Sequence, residues 1–237
     1  MQYLNKHLVE VNCGFQFNKE TTPWDSTFFG RFYEKILSKG FTGKEERKGV
    51  QLKFEITKNN ASFPSTEIDD QVIFKNSTGM AILMAKNKIS FHMLSNYTVW
   101  ENFVNSLIIP FSEHYKSLGL GNGERQCNIV YLNRFTKNRG EDLSDYFKIV
   151  SPVDKSLGEE ANTVVQKVLD NGTNLLIAKF SAQLVNTFFN INLECGAVNK
   201  DISEMNSSDW IQQANKTHAP VKDFFESIIT NKLRQEL

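Results

Sequence analysis

The chain has 237 residues, 40% hydrophobic and 12% aromatic, with 19 Phe against only 13 Gly and 5 Pro, a composition that builds a large core and excludes a disordered or linker-dominated protein. Its 27 basic and 27 acidic side chains cancel to zero net charge, so no whole-molecule field draws it onto a phosphate backbone and nucleic-acid binding would need a local patch. Met1 to Glu20 carry no basic start followed by an apolar run, and nowhere is there an apolar stretch of the roughly 18 residues a membrane helix needs, which predicts a cytoplasmic protein that enters no membrane.

Val9, Val11, Cys13, Phe15 and Phe17 alternate with polar or small residues, predicting a first strand with one buried face. Phe28, Phe32 and Ile36 interleave with Phe29, Tyr33 and Leu37 at helical spacing, a helix capped near Ser26 or Thr27 and stopped at Gly40. Alternation returns at Val50, Leu52, Phe54 and Ile56, and further strands follow at Gln71 to Lys75, Met80 to Lys86 and Ile89 to Leu94. The intervening turns, Asn59-Asn60, Asn76-Ser77-Thr78-Gly79 and Lys86-Asn87-Lys88, are short, so these strands form an antiparallel meander. Thr98 to Leu118 then reads as a long helix, with Thr98 as N-cap, Glu101 completing a capping box, Pro110 kinking it and Gly119 ending it.

From Cys127 the plan partly recurs. A strand runs to Phe135, a short helix lies around Leu143 to Phe147, and strands follow near Thr163 to Leu169, Asn174 to Leu184 and Asn186 to Ala197. The last element is a helical region from Ser208 to Arg234, bent near Pro220. The expected fold class is α+β: two similar halves, 1–121 and 122–237, each strand, helix, antiparallel meander and long helix, packed as one unit. Together they would form a curved antiparallel sheet with helices on one face. That doubled plan is similar to the saddle of TATA-box-binding proteins, an architectural analogy that transfers no function.

Four segments carry a family likeness: Leu8-Val9-Glu10-Val11, Tyr97-Thr98-Val99-Trp100-Glu101-Asn102-Phe103, Tyr131-Leu132-Asn133-Arg134-Phe135, and His218 through Phe224 to Ile229-Thr230. On these the chain resembles a sporadically distributed, numbered family of bacterial proteins of similar length that has no assigned activity. It departs from that family's pattern at His7, Asn128 and Val130. The resemblance implies an accessory role such as phage defence and supplies no reaction.

The candidate site residues are Glu10, Trp100, Tyr131, Asn133 and Arg134. Tyr131 and Asn133 share one face of their strand and Arg134 points to the other. Asn133 and Arg134 either donate hydrogen bonds to a ligand or partner, or serve structure, Asn133 tying down a loop and Arg134 pairing with an acid such as Glu10. Trp100 is either an interface anchor or core. The three cysteines, Cys13, Cys127 and Cys195, lie on predicted strands with no metal-type spacing and read as buried thiols. His7, His92, His114 and His218 fit no metal or nucleophile motif, and His218, just before Pro220, reads as a helix-start residue. The pairs Glu45-Glu46, Asp69-Asp70 and Glu159-Glu160 fall in predicted loops as solvated surface, and Gly119, Gly121 and Gly123 follow a helix instead of opening one, so they make no phosphate loop. No cofactor and no metal is expected.

Three functional readings follow. The first is a non-catalytic binding or regulatory protein that recognises a protein partner, or another copy of itself, through an open sheet face. The second is a nucleic-acid binder using that face with two basic clusters, Lys35, Lys39, Lys44, Arg47 and Lys48, and Arg134, Lys137 and Arg139. The third is an enzyme with a dispersed active site, which would have to bring at least three polar or titratable side chains into one cleft.

Overall fold

Alternation produces the first element: in β1 (Leu8–Phe17) Val11, Cys13, Phe15 and Phe17 are buried while Asn12 and Gln16 between them are half-buried. The computed structural model describes residues 7–17, 24–52, 55–57, 60–62, 66–94, 96–121, 125–150, 160–169, 174–199 and 209–237. The other strands are β2 (Gly43–Leu52), β3 (Glu55–Thr57), β4 (Asn60–Ser62), β5 (Thr66–Lys75), β6 (Met80–Ala85), β7 (Lys88–Met93), β8 (Arg125–Asn138), β9 (Glu160–Leu169), β10 (Asn174–Val185) and β11 (Phe188–Asn199). Nine of them form one open antiparallel sheet in the order β2-β5-β6-β7-β1-β8-β11-β10-β9, and β3 and β4 make a separate two-stranded sheet.

The mixed helix-and-sheet class is therefore as the periodicity predicts, with strand ends moved. β2 extends back to Gly43, so Glu45 and Glu46 lie on a strand and not in a loop; Asp69 and Asp70 lie on β5 and Glu160 on β9, while Glu159 is outside the described residues. Charge pairing explains why such a polar stretch can be a strand: Glu45 meets Arg47 and Lys75 at 2.6 Å each, and Glu46 meets Lys44 at 2.7 Å.

Helix α1 (Thr27–Leu37) buries Phe28, Phe29, Phe32 and Ile36. Ser26 makes no side-chain cap; Asp25 accepts from the Thr27 N–H at 2.7 Å instead. The central helix is α2 (Trp100–Phe103), a π turn (Val104–Ile108) and α3 (Ile109–Lys116). The irregularity predicted from Pro110 appears as that widened turn just before it, because proline has no N–H to continue the ladder. The capping box does not form. Helix α2 starts at Trp100 after an uncapped Val99, and the Thr98 hydroxyl accepts from Asn102 Nδ2 at 2.7 Å.

Helix α4 (Asp209–Ile228) continues through Pro220, so His218 sits mid-helix and not at a helix start. The break falls at Ile229–Thr230, where the segment after the 3₁₀ turn Leu143–Asp145 captures the backbone: Ile229 bridges Phe147, and Thr230 N–H donates to Tyr146 O at 3.0 Å. The short α5 (Asn231–Glu236) follows.

The core faces of the strands meet these helices in two apolar clusters. One joins β1, β5, β6 and β7 to α1, α2, α3 and Trp210; the other joins β10 and β11 to the C-terminal half of α4 and α5. Among the described residues no helix is long and apolar enough to cross a membrane.

Candidate functional site: a cavity over the central strands

Strand β8 lies beside β1 at the middle of the sheet and holds Tyr131 opposite Cys195 and Asn133 opposite Leu193, all on the helix-covered side. Above them the start of α2 and the middle of α4 leave a cavity of about 370 Å³, within the size range of small-molecule sites. Its walls are apolar and aromatic: Leu8, Val99, Trp100, Val221, Phe225, Leu237 and the rings of Tyr97 and Tyr131. Polar groups converge on it from separate elements, namely Asn133 from β8, Glu101 from α2, and His218 and Lys222 from α4.

Two tyrosines brace the floor. Tyr97 and Tyr131 share a hydroxyl hydrogen bond of 3.1 Å and sit edge to face with centroids 5.8 Å apart. Burial raises both phenols above their ordinary range, so both stay protonated. The Trp100 indole is stacked on His218 and on Phe103, is only 7% exposed, and donates through Nε1 to Asn215 Oδ1 at 2.7 Å. It is a wall, fixed on its faces and at its polar tip.

His218 is different. Desolvation lowers its pKa to about 4, against a smaller opposing pull from Glu101, so the imidazole is neutral at neutral pH. Asn133 is 8% exposed and its side chain lines the cavity. A carboxamide set among apolar walls gives a ligand one directional polar contact. The Cys195 thiol at the cavity is pushed up to about 12 by burial, which removes it as a nucleophile.

Three of the five expected site residues, Trp100, Tyr131 and Asn133, thus come together; Glu10 and Arg134 do not. Both lie on the opposite, open face of the sheet, as the strand alternation requires. They do not pair with each other: Arg134 Nε donates to Asn192 Oδ1 at 3.1 Å, and Glu10 accepts from His92 Nδ1 at 2.7 Å. Sequence reasoning missed Tyr97, Glu101, His218, Lys222 and Phe225 as site residues. The signal was present, since Tyr97 to Phe103 and the segment from His218 were singled out as motifs, but Pro220 argued for a helix start and hid His218.

Among the described residues no group of three or more His, Cys, Asp or Glu side chains could hold a metal ion. No protein-family model, curated protein or solved structure matches the chain.

Proposed function

We propose that this is a binding or regulatory protein whose recognition element is the cavity over β8. Its ligand is a compact, mostly apolar group, borne by a small molecule or by a partner, that ends in a polar function opposite Asn133. The observation that carries the reading is the convergence of Asn133, Glu101, His218 and Lys222 on an aromatic-walled space of about 370 Å³. Directional polar groups in an apolar enclosure give orientation and selectivity, while the walls supply affinity.

The test is an NMR fragment screen that follows the Asn133 side-chain amide and the Trp100 indole N–H. Fragments carrying a carboxamide, urea or carboxylic acid on a ring should shift both signals, and Asn133→Leu should weaken them tenfold or more. A screen in which neither signal moves would remove the cavity as the recognition element.

A second reading keeps the open sheet face, as a dock for a protein partner or a second copy. Val164 and Val168 support it, 59% and 63% exposed on the edge strand β9, since apolar side chains on an unpaired edge favour strand addition. The nucleic-acid reading has less behind it. Lys44, Arg47 and Lys137 of the basic clusters are paired with Glu46, Glu45 and Glu236, and the open face mixes Arg134 and Lys179 with Glu10 and Glu194.

We infer as well that 1–121 and 122–237 are copies of one topology. The strand order supports this: from the central pair β1 and β8, each half steps out to its own edge and returns, ending on the strand beside its starting one. The second half has a 3₁₀ turn where the first has α1, and one strand fewer at its edge.

A further inference from the structure

On the open face of the sheet, Ser90, His92 and Glu10 form a continuous hydrogen-bonded chain. Ser90 Oγ lies 2.8 Å from His92 Nε2, and His92 Nδ1 lies 2.7 Å from Glu10 Oε1. Ser90 and His92 are two apart on β7 and so share a face, while Glu10 reaches across from β1.

The chain has a direction. His92, and after it Asn12, hold the Glu10 carboxyl below its ordinary range by hydrogen bonding, so it is an ionised acceptor at neutral pH. His92 Nδ1 must then carry the proton, which leaves the Nε2 lone pair to accept the Ser90 hydroxyl hydrogen. That is the order of roles in a nucleophile, base and orienting acid, recognised by geometry whatever the fold.

We propose that Ser90 is the nucleophile of an acyl-transfer site that accepts carboxylic esters, with His92 as its base and Glu10 as the positioning residue. Ser90 Oγ attacks the ester carbonyl and its proton passes to His92 Nε2. The tetrahedral adduct collapses with cleavage of the ester C–O bond, and His92 returns the proton to the departing alkoxide, which leaves as the alcohol. Water then attacks the acyl-Ser90 by the same route, and the carboxylic acid leaves with Ser90 restored.

The neighbouring row bounds the site. Ser90 is opposite Gly14, which is opposite Asn128. The Asn128 carboxamide lies over Gly14, close enough that a Cβ there would sit 2.5 Å from Asn128 Oδ1. Ser90 is 3% exposed, so only a slender acyl group reaches it. Nothing here depends on the cavity, which is on the other side of the sheet.

The experiment is labelling of the full chain with methanesulfonyl fluoride, a probe slender enough for the site, at pH 8, with the modified peptide located by mass spectrometry. Ser90 should be the labelled residue, and His92→Gln should slow labelling about a hundredfold or more, the usual weight of a general base. Glu10→Gln should slow it by at least about tenfold and move the midpoint of the pH–rate profile down, because loss of the carboxylate makes the imidazolium less stable. A merely structural Glu10 would leave that midpoint in place. If His92→Gln unfolds the chain, the wild-type profile decides: a rate rising through one deprotonation to a plateau supports the site, and a flat one overturns it. Absence of label at Ser90 in the folded chain, or a rate indifferent to His92→Gln, overturns it as well.

Discussion

The His218 imidazole lies parallel to the Trp100 indole, with 4.2 Å between ring centroids and 2° between planes. This stack joins the middle of α4 to the first residue of α2 and closes one side of the cavity. It also accounts for the neutral state of His218, since a ring face pressed on an indole gives up water that would solvate an imidazolium.

The stack predicts a pH-dependent stability. His218 titrates at about 4 in the fold, below the ordinary value of 6.5, so as pH falls the unfolded chain takes up this proton first. Stability from this group is complete above pH 6.5 and is lost down to about pH 4, on the order of 2–3 kcal/mol in all. Urea unfolding of wild type and His218→Gln should agree in slope above that window and diverge within it. Parallel curves throughout would show that His218 is not held neutral.

Trp100→Ala should destabilise the chain by about 3–5 kcal/mol, as for other large buried aromatics. It removes the stack on His218 and Phe103 and leaves Asn215 without its indole donor. Denaturant midpoints measure this; a loss below about 1 kcal/mol would mean that the indole is not a wall.

The two central glycines should respond differently to alanine. At Gly196 a Cβ would run into the backbone carbonyl of Ile129 and sit 3.1 Å from Val130 Cα, and backbone in a paired strand has little freedom to move, so a loss of about 3 kcal/mol is expected. At Gly14 the obstacle is the Asn128 side chain, which can rotate away. Gly14→Ala should be milder, and Asn128→Ala should restore most of what it loses. Calorimetric unfolding of the three variants checks the order.

Helix α5 is pinned at an aromatic ring that two ammonium groups approach. Lys137 and Lys232 place Nζ 3.7 and 4.3 Å from the Tyr146 ring centroid, and Lys137 also donates to Glu236. Lys137 is 7% exposed, so its removal also leaves packing undone. Lys137→Ala should raise hydrogen exchange across Asn231–Glu236 while leaving β1 and β7 protected; unchanged exchange there would show that α5 is held by other contacts.

Much of this was legible in the residues. Alternation gave the faces of β1 and β8 correctly, and so separated Tyr131 and Asn133 from Arg134. What failed were inferences from single polar or breaking residues. Thr98 and Glu101 form a capping box only if the helix starts at Val99, and the chain starts it a residue later. Pro220 suggested a helix start at His218, but α4 is continuous there, and its end is set by Tyr146 and Phe147, distant in sequence. The chain Glu10, His92 and Ser90 was invisible for the same reason: Glu10 and His92 are 82 positions apart, and only strand pairing brings them together.

The most direct test of the central claim is a crystal of the chain soaked with the amide- or acid-bearing ring fragments that score in solution. The cavity between Trp100, Tyr131 and His218 should show ligand density with a polar atom within hydrogen-bonding distance of the Asn133 carboxamide. Density only on the open sheet face, or a cavity closed by a different rotamer of Asn133 bonded within the protein, would contradict it.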